Sequence, residues 1–209
     1  MKSLFVETIP VGPLKTNCYL CSCGTEAILI DCGSNPAPIA ESIANRQLNL
    51  RAMYLTHLHL DHVGGVATIQ AMTGAEVYAS KNDGYLADVP FDKGGARELG
   101  RLANFEFQDI APGRHIALSQ PMIVLDTPGH TLGSLSYFFP MSGCVFVGDL
   151  IFMLSVGRTD FPGGESKTLL KSIENRIFIL PGQTRIYPGH GPMTTVEHEK
   201  RNSPFFKTK

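Results

Sequence analysis

The residue types best suited to chemistry in this chain fall in Thr56-His57-Leu58-His59-Leu60-Asp61-His62, where three imidazoles and a carboxylate lie within six positions. Buried without partners such groups are costly; gathered around a cation they become favourable. In an extended backbone His57, His59 and Asp61 project to one side, and only a turn brings His62 round as well. Gly64-Gly65 is expected to supply that turn, because glycine adopts backbone angles that other residues avoid.

Three more segments repeat one design, a strand followed by a sharp turn and a ligand-type residue. Met122–Asp126 leads into Thr127-Pro128-Gly129-His130, Cys144–Val147 into Gly148-Asp149, and Arg185–Tyr187 into Pro188-Gly189-His190-Gly191. Such placement gathers side chains from distant stretches of chain around one rim, where α/β scaffolds host active sites. The set is His57, His59, Asp61, His62, His130, Asp149 and His190, and it uses five of the seven histidines in the chain. Nitrogen and carboxylate ligands without thiolate suit zinc, iron or manganese, and open coordination positions suit catalysis. Seven ligands exceed what one tetrahedral ion needs and match two ions sharing a carboxylate.

The elements that must position these residues can be read from apolar runs and their punctuation. Leu4–Ile9, Asn17–Cys23, Glu26–Asp31 and Met53–Leu55 read as strands, with a helix over Pro36–Leu48. Gly65–Met72 reads as a helix and Glu76–Ala79 as a strand. Phe105–Ile110, His115–Leu118, Met122–Asp126, Leu135–Phe139, Cys144–Val147 and Arg185–Tyr187 follow as strands, with late helices at Ser166–Phe178 and Thr194–Arg201. Residues 81–104 are polar, bear glycine and have weak periodicity, the pattern of a lid or insertion. Each half runs strands, a helix, then a strand ending in a histidine-bearing loop, which predicts a layered α/β fold, helix–sheet–sheet–helix.

Composition narrows the function. The chain has 209 residues, 43% hydrophobic and 18% charged, and fits one domain, 1–209, able to bury a core without disulfides. Eighteen Lys+Arg against 19 Asp+Glu leave a net charge of −1, with no basic excess for a nucleic-acid partner. The N-terminal apolar run is too short for a signal peptide, and no stretch is long enough to span a membrane. Five cysteines, four of them crowded into the first strands, point to a reducing cytoplasmic setting.

The run His57-x-His59-x-Asp61-His62, with Pro-Gly-His130, Gly-Asp149 and Gly-His190-Gly, resembles the metallo-β-lactamase superfamily over almost the whole chain. More closely it is similar to short, single-domain hydrolases of the glyoxalase II type, through Ile30-Asp31-Cys32-Gly33, Thr127–Ser134, Val156–Pro162 and Tyr187–Thr195. The resemblance implies a four-layer αββα sandwich with two divalent metal ions at one edge, zinc first, with iron or manganese compatible. It implies His57, His59 and His130 on the first metal, Asp61, His62 and His190 on the second, and Asp149 bridging. A shared water would then be activated to hydroxide and attack a thioester carbonyl, with Asp61 also orienting that water. The implied partner is a small molecule, a glutathione-type thioester such as S-(2-hydroxyacyl)glutathione.

Arg158 matches a position where glyoxalase II enzymes carry a basic residue that contacts glutathione, and an Arg clamp on an anionic thiol is physically apt. The alternative is an Arg bracing its loop through Asp31 or Asp160. Two departures from the resemblance bear on substrate: a separate C-terminal helical domain is not expected, and Thr159-Asp160 replaces an aromatic residue. Relatives with a redox di-iron centre carry a carboxylate where this chain has His59, which favours hydrolysis here. Rival activities are a mononuclear iron persulfide dioxygenase using His57, His130 and Asp149, a lactonase, and a metal-stabilised binding module. Cys18, Cys21 and Cys23 are expected to pack as apolar residues, with Cys32 near the rim. His115 and His198 are expected at the surface, and Phe205-Phe206 as a packed tail.

Overall fold

The computed structural model of the chain describes residues 4–89 and 105–206. Nearly every residue of β2 (Thr16–Cys23) and β3 (Glu26–Ile30) is buried, and strand alternation sorts their side chains into two cores. Cys18, Leu20, Ala27 and Leu29 pack with Ile39, Ile43, Val66 and Ile69. Tyr19, Cys21, Ile28 and Ile30 pack on the other side with Met122, Tyr137 and Phe146. The strand Cys144–Gly148 is also covered twice, Cys144 and Phe146 entering the central core, Val145 and Val147 an outer one with Leu169, Ile173 and Val196. Strands covered on both faces read as unbroken apolar runs, and Ala-Ile-Leu-Ile and Cys-Val-Phe-Val are such runs.

The first sheet contains β1 (Phe5–Val11), β2, β3, β4 (Asn49–Tyr54), β5 (Glu76–Ala79) and β6 (Gln108–Asp109), side by side in sequence order. The second contains β7 (Gly113–Ala117), β8 (Gln120–Asp126), β9 (Leu135–Phe139), β10 (Cys144–Gly148), β13 (Arg185–Pro188) and β14 (Thr194–Thr195). A small hairpin, β11 (Ile151–Phe152) and β12 (Ser155–Val156), stands apart from both. Helices α1 (Ala37–Asn45) and α3 (Val66–Thr73) cover the first sheet, α4 (Ser166–Ser172) and α5 (Val196–Asn202) the second. The result is the expected four-layer αββα sandwich.

The loops that matter follow β4, β8, β10 and β13. Parallel pairing of β10 with β13 sends Asp149 and His190 out at the same edge, and a Leu135 N–H bond to the Thr56 carbonyl draws the two sheets together there.

Several expectations need correction. His62 is not brought round by a glycine turn: a one-turn helix, α2 (Leu60–Val63), carries Asp61 and His62, and Gly64 and Gly65 have ordinary right-handed angles. Those glycines are required by crowding, since a Cβ would lie 2.5 Å from Ser34 Oγ at position 64 and 2.5 Å from the Gly33 carbonyl at position 65. Thr194 and Thr195 form a strand rather than a helical turn, because they pair with Arg185 and Ile186. The helix expected to run to Phe178 gives way at Ile173–Ile177 to a π turn, closed by Phe178 N–H to the Ile173 carbonyl at 2.8 Å. Of Phe105–Ile110 only Gln108 and Asp109 are strand. Lys81–Asp88 forms a 3-10 helix, and the rest of the suspected lid, 90–104, lies outside the described residues.

Cys18 and Cys21 do face opposite cores. Cys32 lies beside the rim as expected, its N–H bonded to the His62 carbonyl at 2.8 Å, while its side chain is buried against the helices of the first sheet and burial pushes its thiol well up. His198 is exposed and His115 half-buried. Phe206 packs on Phe178, while Phe205 stays largely exposed.

Candidate metal centre

All seven predicted ligand residues meet at the sheet edge. Three groups have donor atoms within 4.8 Å of one another: His57, His59 and His130; His57, His62 and Asp149; Asp61, His62 and His190. Asp149 stands between the outer two, its Oδ1 3.3 Å from His62 Nε2 and its Oδ2 3.7 Å from His130 Nε2 and 3.5 Å from His190 Nε2. Asp61 Oδ2 lies 3.2 Å from His190 Nε2 and accepts a bond from Thr16 Oγ1 at 2.9 Å.

Four imidazoles are fixed from behind through Nδ1. His57 Nδ1 lies 3.0 Å from the Thr56 hydroxyl, whose own proton goes to Asp31 Oδ2 at 2.8 Å. His62 Nδ1 lies 2.9 Å from Asp31 Oδ2. His130 Nδ1 meets the Arg158 carbonyl at 2.7 Å, and His190 Nδ1 the Leu14 carbonyl at 3.2 Å. A proton on each Nδ1 leaves Nε2 with a lone pair aimed into the centre, as in imidazoles that ligate metals. His59 is turned the other way, with Nδ1 2.9 Å from His130 Nε2.

These orphaned atoms test whether a cation fits. His57 Nε2, His59 Nε2, His62 Nε2 and Asp149 Oδ1 are buried without a hydrogen-bond partner. Buried polar atoms are nearly always paired, and such a concentration of lone pairs around one point suits a positive ion. Charge agrees. Burial, reinforced by the neighbouring imidazoles, pushes His59 down to about 3 and His57 well down, which favours the neutral, lone-pair-bearing form of both. Burial opposes ionisation of Asp149 and Asp61, yet His62 and the other contacts around them, His130 and His190 for Asp149 and His190 and Thr16 for Asp61, together outweigh it and hold Asp149 at about 2 and Asp61 well below the usual range. Burial likewise opposes charge on His62 and His190, but the carboxylates raise both.

Outside the cluster lies a cleft of about 880 Å³, bounded by Leu14, Leu60, Phe152, Val156 and Phe161 on its apolar side and by Arg158 at its rim. Arg158 Nε and NH2 donate to the two Asp160 oxygens at 2.8 and 2.7 Å, and the guanidinium lies 3.9 Å over the Phe161 ring. The partner is therefore Asp160 and not Asp31, which is engaged by Thr56 and His62.

Sequence reasoning did not assign Asp31 as the residue behind His62. The available signal was a carboxylate ending a fully apolar strand, where only an edge-facing partner justifies it. The β11–β12 hairpin, which supplies Phe152, Ser155 and Val156 to the cleft, was also missed.

A fold of paired sheets with this ligand cluster at its edge defines a class, and comparison with known proteins agrees. The family model of the metallo-beta-lactamase superfamily matches residues 11–190, and the chain belongs to that superfamily. Hydroxyacylglutathione hydrolase GloC of Haemophilus influenzae is 31% identical over 98% of this chain and 99% of its own length. The solved structure of BLEG-1 B3 metallo-beta-lactamase superposes with a TM-score of 0.86 at 30% identity, covering 98% of this chain and 100% of that one. TTHA1623 in a di-iron-bound form superposes with a TM-score of 0.83 at 35% identity, covering 96% and 99%. Fold and cluster together indicate a dinuclear metal site in a metallo-hydrolase. Among the described residues no helix is long and apolar enough to cross a membrane.

Proposed function

We propose that the chain is a binuclear metallo-hydrolase that cleaves thioesters of the S-(2-hydroxyacyl)glutathione type. The observation that carries the reading is the double set of converging donors, one all-imidazole and one mixed, flanking Asp149. His57, His59 and His130 would hold one ion, Asp61, His62 and His190 the other, with Asp149 shared. Two divalent ions, when bound, supply Lewis acidity and bring the pKa of a shared water toward about 7. Zinc is the ion we assign; iron is supported by the di-iron form of a similar structure, and manganese suits the same donors.

This chain's own residues then orient the substrate. The apolar wall takes the acyl group and keeps water off the reacting carbonyl, while Arg158 offers a cation at the rim to the thiol's carboxylate. Asp61, held by the Thr16 hydroxyl, would orient the attacking water as well as bind metal. The similarity to GloC supports the substrate class, and an odd count of five cysteines suits a reducing cytoplasmic setting.

A mononuclear iron dioxygenase would use only His57, His130 and Asp149, and the assembled Asp61, His62 and His190 set argues against it. The test is metal content of the purified protein by mass spectrometry, followed by turnover of S-lactoylglutathione. Two ions per chain and thioester cleavage support the reading. One iron with oxygen uptake on a persulfide, or cleavage of lactones but not thioesters, overturns it. Asp149→Asn should abolish both metal loading and turnover.

A further inference from the structure

Asp83 is a buried carboxylate, 1% exposed, that belongs to no motif and lies on the 3-10 helix Lys81–Asp88. Its Oδ2 accepts the Leu58 N–H at 3.2 Å and the Thr131 hydroxyl at 2.9 Å, and its Oδ1 accepts the Gly133 N–H at 2.6 Å. Leu58 separates His57 from His59, and Thr131 follows His130. One carboxylate thus ties together the two loops that carry the all-imidazole donor set, although those loops lie far apart in sequence. The fit is close: a Cβ on Gly133 would lie 2.7 Å from Asp83 Oδ1 and 2.8 Å from Asp83 N, so position 133 admits only glycine without displacing the carboxylate. The 3-10 helix is itself anchored, by Ser80 Oγ capping Asn82 N–H at 3.2 Å and by Tyr85 OH donating to the Pro162 carbonyl at 3.0 Å.

We propose that Asp83 is a positioning residue for the metal site of His57, His59 and His130, setting the separation of the two loops so that the three imidazoles converge. The second set does not depend on it, because Asp61, His62 and His190 are held through Thr16, Asp31 and Leu14. The inference rests on the reading of these residues as ligands.

Two variants test it, Asp83→Asn and Thr131→Val. Asparagine keeps the volume but presents an NH2 group to donors; valine at 131 removes one of the three bonds to the carboxylate, together with the 2.7 Å contact between the Thr131 hydroxyl and Ser134 Oγ. Chelator-buffered zinc titration of the metal-free protein resolves the two binding steps, and thermal melts of the metal-free forms report folding. Asp83→Asn is expected to weaken one step by about 10–100-fold and leave the other near the wild-type value. Thr131→Val is expected to weaken the same step by a smaller factor. A purely structural role would lower the melting temperature and leave both steps alone, or weaken them equally. Either result overturns the proposal, and if Asp83→Asn does not fold, Thr131→Val decides alone. Failure of the wild-type chain to take up two zinc ions would instead overturn the ligand assignment.

Discussion

Gly189 is packed against Asp149 so closely that a Cβ there would overlap Asp149 Oδ1 and stand 2.7 Å from His62 Cε1. The backbone around it cannot yield, because Gly189 N–H is bonded to the Gly148 carbonyl at 2.8 Å and Asn17 N–H to the Gly189 carbonyl at 2.7 Å. The residue before His190 is therefore small because the Asp149 carboxylate occupies its side-chain space. Gly189→Ala should displace Asp149, reduce metal content below two ions per chain and lower turnover by about 100-fold, the effect of a misplacement near 1 Å. Gly84→Ala, on the 3-10 helix, where an added Cβ meets nothing within 4 Å among the described residues, should leave both unchanged. Elemental analysis beside steady-state kinetics checks the pair, and normal metal content in Gly189→Ala would count against a bridging Asp149.

Asp160 holds the Arg158 guanidinium at the cleft rim by a two-pronged pair, with both side chains more than half exposed. A substrate carboxylate must compete with it. Asp160→Ala should lower KM for S-lactoylglutathione by up to about tenfold, the scale of one charge-assisted bond. KM for an uncharged acyl-thioester should not move, and the melting temperature should change little, because exposed pairs contribute little to stability. Equal KM shifts for both substrates would remove Arg158 from the specificity argument.

Glu165 caps α4, accepting N–H bonds from Thr168 at 2.5 Å and Lys167 at 3.0 Å, and its own N–H reaches the Gly129 carbonyl beside His130. The bonds from Thr168 and Lys167 hold its carboxyl below the usual range. A carboxyl depressed in the folded state adds stability above its unfolded pKa, and that stability is lost as pH falls through the folded value. Metal-free wild type should therefore melt a few degrees above Glu165→Gln at pH 7, and the gap should narrow as the solution is taken below about pH 4. A gap independent of pH would deny the capping role.

The seven donor residues were legible because each carries a local mark. His57, His59, Asp61 and His62 share six positions, and His130, Asp149 and His190 each follow an apolar strand and a glycine. The residues that hold them were not, because their partners are remote: Asp31 reaches His62 across 31 positions, and Asp83 reaches Gly133 across 50. A buried carboxylate's role depends on which loops fold onto it, and no periodicity records that. The three cores were readable from apolar runs, whereas β11 and β12, two residues each, are too short to show any period. The turn at Asp61-His62 was misjudged for a related reason. Gly64 and Gly65 look like conformational breaks in sequence, but they are small because Ser34 and Gly33 lie against them.

Glu199 links the C-terminal helix to the cleft. It is fully buried, its Oε2 accepting the Leu154 N–H at 3.0 Å and its Oε1 the Thr194 hydroxyl at 2.6 Å. Leu154, at the tip of the β11–β12 hairpin, has a left-handed φ of 57°, so the hairpin is held in a tight turn from outside the second sheet. Phe152 and Val156 on that hairpin form cleft wall, and none of its residues belongs to the ligand set. Glu199→Ala removes the acceptor from both donors, at about 1–3 kcal/mol for a buried donor left unpaired. The melting temperature should fall, and KM should rise by a larger factor than kcat drops, because the wall moves and the metals do not. Glu199→Gln, which keeps one carbonyl acceptor, should recover part of each loss. Zinc content should stay at the wild-type level in both variants; a loss of metal in either would mean that the helix supports the centre itself rather than the wall beside it.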